Sequence, residues 1–281
     1  MSVEVELAQK IVEEAMKRGF DEVAAVVTVC RRTMVKIANS EPTVIQSWNP
    51  ISVELYLAKD RRMFLGSYEP KSIDELSRYI DRFGSIALKV VESEFYAPLP
   101  QPVHVKYIDG LADNRIISAM DDIDKLSEHV IEVAHREKID SVAGMIQLSY
   151  IKTALVTSKG TQLSEDKTAL QGYLRAFAEP GGSGQWCFTS TRYDLNGLEY
   201  MASMAARYAI DSRNRIEIQP DVYDVIFSPL VFGNLLEYIV DMTSAFSVLM
   251  GTSMFMKHKI GDKVSSEKLS VFDEPRNHEL P

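Results

Sequence analysis

Cysteine is almost missing from this 281-residue chain, with Cys30 and Cys187 the only two. Two thiols are too few for a disulfide framework or a tetrahedral cysteine zinc site, and they suit a reducing compartment. Both are expected to be free. Long apolar runs are missing too: none reaches the roughly 18 to 20 residues that cross a bilayer. Glu4 and Glu6 follow Met1 where a signal peptide would need a basic start and an apolar block. A cytoplasmic protein without membrane contact is expected. Positive charge is in deficit, since 31 Lys+Arg against 40 Asp+Glu leave a formal charge of -9. A field that gathers nucleic acid by counterion release is therefore not expected, nor is a direct nucleic-acid partner. With 46% hydrophobic and 25% charged residues the chain is nevertheless an ordinary globular one, so disorder is excluded. Its length allows one large domain or two medium ones.

Leu7, Ile11, Val12, Ala15 and Met16 recur at helical spacing and Gly19 follows at a C′ position, which predicts a helix over 4–18. From Glu22 to Gly66 the pattern turns β-branched and alternating, in segments Val23–Val29, Thr33–Ala38, Thr43–Trp48, Ile51–Ala58 and Arg62–Leu65. An antiparallel meander is expected. Ser72 and Glu75 form a capping box ahead of an apolar stripe, predicting a helix from about Ile73 to Val91. Three prolines in Ala97-Pro98-Leu99-Pro100-Gln101-Pro102 bar a helix and favour extended backbone. A domain boundary is placed there. Beyond it the pattern predicts a helix over 116–136, strands over 141–158 and 161–178, a flexible Pro180-Gly181-Gly182-Ser183-Gly184 loop, and a strand over 186–193. A helix striped by Leu198, Met201, Ala205 and Tyr208, an apolar strand Val222–Phe227, and a long helix capped by Ser228 with Pro229 at its first position complete the chain to Met250. The fold class expected is α+β in two domains, 1–102 and 103–281, each a mainly antiparallel or mixed sheet with packed helices.

Chemistry-bearing constellations are sparse. His129 and His135 are six apart, out of register on a helix, and Glu132 with His135 is a single Glu-x-x-His pair where a dinuclear site needs two pairs and two further acids. A solvated helix face is the expectation. His278-Glu279 resembles the start of a zinc-protease helix but is followed only by Leu280-Pro281. Cys187 lies between Trp186 and Phe188, apolar neighbours that would raise a thiol pKa, so a buried structural cysteine is expected. The Gly181-Gly182-Ser183-Gly184 loop lacks the lysine of a P-loop and the spacing of a dinucleotide fingerprint.

A set of ordered blocks carries a resemblance. Arg18-Gly19-Phe20-Asp21-Glu22 closes the first helix, and Phe95-Tyr96-Ala97-Pro98-Leu99-Pro100 closes the second. Arg175-Ala176-Phe177-Ala178 runs through Ser183-Gly184 to Thr191-Arg192-Tyr193-Asp194-Leu195. Tyr223-Asp224-Val225-Ile226-Phe227-Ser228-Pro229, Gly251-Thr252-Ser253-Met254-Phe255, Lys259-Ile260-Gly261-Asp262-Lys263-Val264 and Leu269-Ser270-Val271-Phe272-Asp273-Glu274-Pro275 follow. In this order they resemble the TldD/PmbA family, the modulators of DNA gyrase that include a two-subunit metallopeptidase.

The resemblance implies a choice between two branches. In the TldD-like branch an H-E-x-x-x-H motif holds zinc, and its glutamate can serve as general base. Matching Leu235-Leu236 to the apolar pair before that motif puts Glu237, Tyr238, Asp241 and Met242 under positions of the motif, with no histidine among them. Glu237 and Asp241 are carboxylates at i, i+4, and Leu235–Val240 is expected as a buried helix face. The chain is thus similar to the PmbA branch, also called TldE, implying no metal and no catalytic residue of its own and zinc in a TldD-like partner. A heterodimer with that partner, or a homodimer, and an unfolded peptide substrate are the partners implied. Gly181, Gly182, Ser183, Gly184 and Arg192 are the candidates for a peptide-facing or partner-facing surface. Family members continue past Asp273-Glu274-Pro275 with further strands, so truncation relative to the family is expected. Two other readings stand beside this one: a regulatory protein-binding module of the gyrase-modulator type, and a self-sufficient hydrolase using Cys187.

Overall fold

The first helix forms where the apolar spacing predicts it: α1 (Val3–Lys17) buries Leu7, Ala8, Ile11, Val12 and Ala15 on one side. Gly19 ends it at φ 82°, and its N–H donates to the Met16 carbonyl at 2.9 Å. The computed structural model describes residues 2–72, 75–103, 105, 108–274 and 277. Its contacts divide the chain into two compact units, 2–213 and 214–277.

Within 2–213 the meander comprises β1 (Glu22–Ala38), β2 (Glu41–Trp48), β3 (Ile51–Lys59) and β4 (Arg62–Tyr68). The two predicted segments on either side of Cys30-Arg31-Arg32 fuse into the single 17-residue β1. Its first half pairs with β3, Val23 opposite Leu57, and its second half with β2, Val35 opposite Ile45. The tight turns at Asn39-Ser40 and Asp60-Arg61 hold both residues at positive φ, the geometry whose twist matches a two-residue hairpin. Asn and Asp accept that region without glycine because their short polar side chains bond locally.

The second helix, α2 (Glu75–Ala87), packs Leu76, Ile80, Phe83 and Ala87 inward. Its capping glutamate reaches back one residue further than predicted: Glu75 accepts from the Lys71 N–H at 3.0 Å. Ile73, where that helix was expected to start, lies outside the described residues. Past the prolines, the predicted single helix is split into α3 (Asn114–Ala119), a 3-10 turn (Met120–Asp122) and α4 (Ile123–His135). Then come β5 (Ser141–Thr157), β6 (Gln162–Ala178), β7 (Gly182–Ser190) and α5 (Leu195–Asp211).

One antiparallel sheet, not two, contains all seven strands in the order β4-β3-β1-β5-β6-β7, with β2 paired to β1. The expectation of one sheet on each side of the proline link is corrected by the pairing of β1 with β5 from Ala24–Thr157 to Ile37–Gly144. Prolines stop helices and remove ladder donors locally, but they do not stop the strands on either side of a link from meeting. The second edge of β1 is free of β2 and β3, and β5 alternates in the matching phase. The sheet curls as a half-barrel, and its helices all use one face: β5 gives Val142, Ile146 and Leu148 to the cluster under α4 and α5, and Ala154 and Val156 to the cluster under α1 and α2. These are alternate residues of one strand, so both clusters share a side.

That alternation also corrects the reading of Cys187. Trp186 and Phe188 turn toward α5, the Trp186 ring lying 5.6 Å from that of Tyr208, so Cys187 faces the other side and is exposed. Cys30 is the buried thiol, and burial pushes its pKa up. In a thiol-reagent titration of the native protein, one thiol is expected to react fast and the second only on unfolding, with Cys187→Ser abolishing the fast phase. Two fast thiols would contradict the placement of Cys30.

Residues 214–277 hold α6 (Pro229–Thr243) and α7 (Ala245–Leu249). Ser228 caps α6 as predicted, but the helix breaks at Ser244, which swings to ψ 134° and caps α7 through the Phe246 N–H. No strand forms among the described residues of this unit. Val222–Phe227, predicted as a strand, is unpaired, with Val222 95% and Ile226 98% exposed. The Leu235–Val240 stretch is likewise not the buried face expected: Leu236 and Ile239 are half-buried, the rest is exposed, and α6 buries no residue. No helix among the described residues is long and apolar enough to cross a membrane.

Candidate functional site

The sequence candidates fall at the β6–β7 hairpin and the corner that leads from β7 into α5. The hairpin turns through Glu179, Pro180 and Gly181, and only Gly181, at φ 67°, needs glycine for its backbone. Gly182 and Gly184 are glycine for another reason. A Cβ on Gly184 would sit 2.3 Å from the Ala209 nitrogen and 2.4 Å from the Ala205 carbonyl oxygen, and one on Gly182 would sit 2.3 Å from the Ala209 carbonyl oxygen. Both let the backbone of α5 rest directly on the edge strand. Ser183 accepts from Arg175 at 3.2 Å through its hydroxyl, and its N–H donates to Ser212 at 2.8 Å. Arg192 donates to the Gly110 carbonyl at 2.6 Å, tying the corner to the loop before α3.

Asp113, which the sequence reading passed over, organises this corner. One carboxylate oxygen accepts from the Arg115 N–H at 2.9 Å, capping α3, and the other accepts from the Tyr193 N–H at 2.9 Å. The Arg115 guanidinium binds the same carboxylate at 2.7 Å, and these bonds hold the Asp113 carboxyl at about 2. Fully buried Thr168 accepts from the Asp113 N–H and donates to the Thr191 carbonyl. An aspartate just before a helical segment was the signal for the cap, but its long-range partners have none in sequence.

Beside the corner opens a cleft of about 580 Å³ lined by Asn114, Arg115, Ser118, Lys125, His129 and Tyr193, among others. Among its polar side chains, Arg115 is engaged with Asp113, Lys125 with Asp122, and the His129 ring with the Glu199 carboxylate at 2.6 Å. Among the described residues that line it, no hydroxyl is hydrogen-bonded to a base. His135 is elsewhere, 2.8 Å from the Ser40 hydroxyl. Away from this corner the buried carboxylate of Glu22 fastens the proline link to the sheet: it meets Lys159 at 2.9 Å and accepts from Tyr96 and from the Leu99 N–H. Burial raises its pKa, but these partners outweigh that effect and hold it below the usual carboxylate range.

The four positions matched to the metal motif lie on α6: Glu237, Tyr238 and Asp241 are exposed, Met242 half-buried. Among the described residues no three His, Cys, Asp or Glu side chains gather where a metal could be held. His278-Glu279 and Pro275 lie outside the described residues.

Two models of one family match the chain. The PmbA/TldA metallopeptidase central domain matches residues 108–213, and the PmbA/TldA metallopeptidase C-terminal domain matches residues 220–281. The chain belongs to the PmbA/TldD metallopeptidase family. Its fold is similar to that of TldE from Thermococcus kodakarensis, with 17% identity and a TM-score of 0.61 over 73% of this chain and 47% of that one. A candidate modulator of DNA gyrase from Bacteroides thetaiotaomicron shares 17% identity at a TM-score of 0.82, over 98% of this chain and 64% of that one. Another from Thermotoga maritima shares 18% at 0.70, over 89% and 58%. The chain thus spans about half to two thirds of the length of these solved relatives. No curated protein matches it.

Proposed function

We propose that this chain is a TldE-type subunit of a cytoplasmic TldD/TldE-type metallopeptidase that acts on unfolded peptides, the zinc being held by a TldD-like partner. The observation that carries the reading is the composition of α6: where the metal-bearing branch has H-E-x-x-x-H, this chain has Glu237, Tyr238, Asp241 and Met242 at the corresponding positions. A methionine thioether and a phenol are poor zinc ligands, and two carboxylates one turn apart do not make a tetrahedral set. In the pair, the partner's metal would activate water, while this chain would help enclose an extended peptide.

The test is a peptidase assay on the purified chain alone, with a TldD-like partner, and with a chelator. Chelator-sensitive cleavage by the pair and none by the chain alone is expected, together with no stoichiometric zinc in the chain after dialysis. One tightly held zinc per chain, or a pair whose activity is unchanged when this chain is omitted, would overturn the reading. The names of two similar structures favour a second reading, a regulatory protein-binding role of the gyrase-modulator type. It would gain if a gyrase subunit, rather than a histidine-bearing homologue, were retained by the tagged chain.

A further inference from the structure

The face of the sheet that the helices leave uncovered carries a hollow of about 460 Å³ spanning β1, β5, β6 and β7. Its floor is made of the small side chains of Ala38 and Ala143 and the backbone at Gly144. Its walls are Lys36, Met145 and Tyr173 on one side and Arg175 and Gln185 on the other. The pairings Lys36–Met145 and Met145–Tyr173 form one cross-strand row, and Ala143–Arg175 and Arg175–Gln185 form the next.

The charge of the hollow runs against that of the molecule. The chain carries -9 overall, yet two cations and no acid line this depression. Among the described residues neither Lys36 nor Arg175 has a carboxylate partner; Arg175 donates to the Ser183 hydroxyl and lies over the Phe177 ring at 5.6 Å. Glu41, opposite Ala38 in the register, does not line the hollow. Lys36 and Arg175 are two strands and one side-chain row apart, about 12 Å between Cα atoms from strand spacing and rise; the Arg175 guanidinium rests at Ser183 and Phe177, on the side away from Lys36, and both long side chains reach the space above Ala143 once it turns from that rest position. The guanidinium fork suits a planar carboxylate, the ammonium adds a point charge, and the Gln185 amide at the rim can donate a further hydrogen bond.

We propose that this hollow binds a carboxylate of an extended peptide, so that acidic residues or a free C-terminus are preferred at this point. That the ligand is a peptide rests on the proposed function; the preference for a carboxylate rests on the hollow alone. Met145 and Tyr173 give the methylenes of the bound residue an apolar wall, while the uncharged floor keeps the carboxylate from repulsion.

The test is fluorescence anisotropy on the purified full chain with labelled unstructured peptides of one sequence: a central Glu with an amidated end, a central Gln with an amidated end, and a central Gln with a free C-terminal carboxylate. At least one carboxylate peptide is expected to bind about tenfold tighter than the neutral one, the arms showing which source is used, with the preference shrinking as salt rises. Lys36→Ala with Arg175→Ala should erase the preference. Ala143→Glu, which places a carboxylate in the hollow while keeping both cations, should erase it as well, with unchanged circular dichroism and melting temperature. Equal affinity for all three peptides, undetectable binding included, would overturn the proposal, as would a preference that survives the double substitution or tighter binding of a single-stranded oligonucleotide. A carboxylate preference without partner-dependent peptidase activity would sink the subunit role and leave the site standing; the converse result would sink the site alone.

Discussion

Gly184→Ala is expected to destabilise the protein by about 3 kcal/mol, because overpacking a filled contact usually costs 1–3 kcal/mol and here the atoms that block are backbone. The added methyl would stand 2.3 Å from the Ala209 nitrogen and 2.4 Å from the Ala205 carbonyl oxygen, so relief requires α5 to lift from β7 rather than a side chain to rotate. That helix seats Leu198, Met201, Ala202, Ala205, Ala206 and Ala209, all fully buried, in the cluster it shares with β5 and β6. For a unit of this size the change corresponds to a fall in melting temperature of about 6–12 °C. Gly19→Ala is the control: nothing lies within 4 Å of its Cβ position, but φ is 82°, so only the left-handed penalty of about 1 kcal/mol applies. Thermal unfolding of the two variants decides it. A Gly184→Ala loss no larger than that of Gly19→Ala would mean that α5 is not seated on the strand as described.

Gly184 also shows how far sequence reasoning reached. In the sequence, three glycines within four residues read as a flexible loop, since glycine's freedom at turns is its commonest signal. Only Gly181 uses that freedom; Gly182 and Gly184 belong to β7 and are small because a helix rests on them, a contact between segments more than twenty residues apart. Local signals fared better: α1 with its terminal glycine, the meander turns, the Ser228 cap and Pro229 at the first helical turn are fixed within a few residues, and each was legible. The joining of β1 to β5 was not, because alternation identifies a strand and its buried side but not which strand lies next to it. Cys187 failed for a related reason: its neighbours in sequence are apolar, but in a strand the neighbours point the opposite way. Of the site, the composition of α6 could be read from the sequence alone, while the placing of Lys36 and Arg175 around one hollow across two strands could not. Val222–Phe227 keeps the composition of a strand, yet it pairs with no strand among the described residues of 214–277, and propensity without pairing makes no ladder.

Asp113→Ala is expected to cost about 2–4 kcal/mol at neutral pH, since it removes a helix cap worth roughly 1 kcal/mol and leaves the Tyr193 N–H and a charged Arg115 without their acceptor. Asp113→Asn keeps an oxygen to cap α3 but loses the charge that Arg115 grips, so it should fall between the two. The pH dependence separates charge from shape. The folded-state pKa of Asp113 is held at about 2 by Arg115 and by the N–H groups of Tyr193 and Arg115, below the ordinary value of 3.8. A depressed carboxyl contributes stability that is fully present above the unfolded value and is lost as pH falls toward the folded one. The Asp113 contribution, on the order of 1–2 kcal/mol after allowing for the exposure of Arg115, should therefore be intact above pH 5 and disappear between about pH 5 and pH 2. Other carboxylates held low, Glu22 and Asp21 among them, weaken in the same range. The quantity to measure is thus the difference in unfolding free energy between wild type and Asp113→Asn by urea titration at several pH values. That difference should shrink steadily on acidification. A gap that stays constant from pH 7 to pH 3 would mean that Asp113 acts only as a neutral acceptor, and that the ion pair with Arg115 contributes nothing to holding the corner between β7 and α5 against α3.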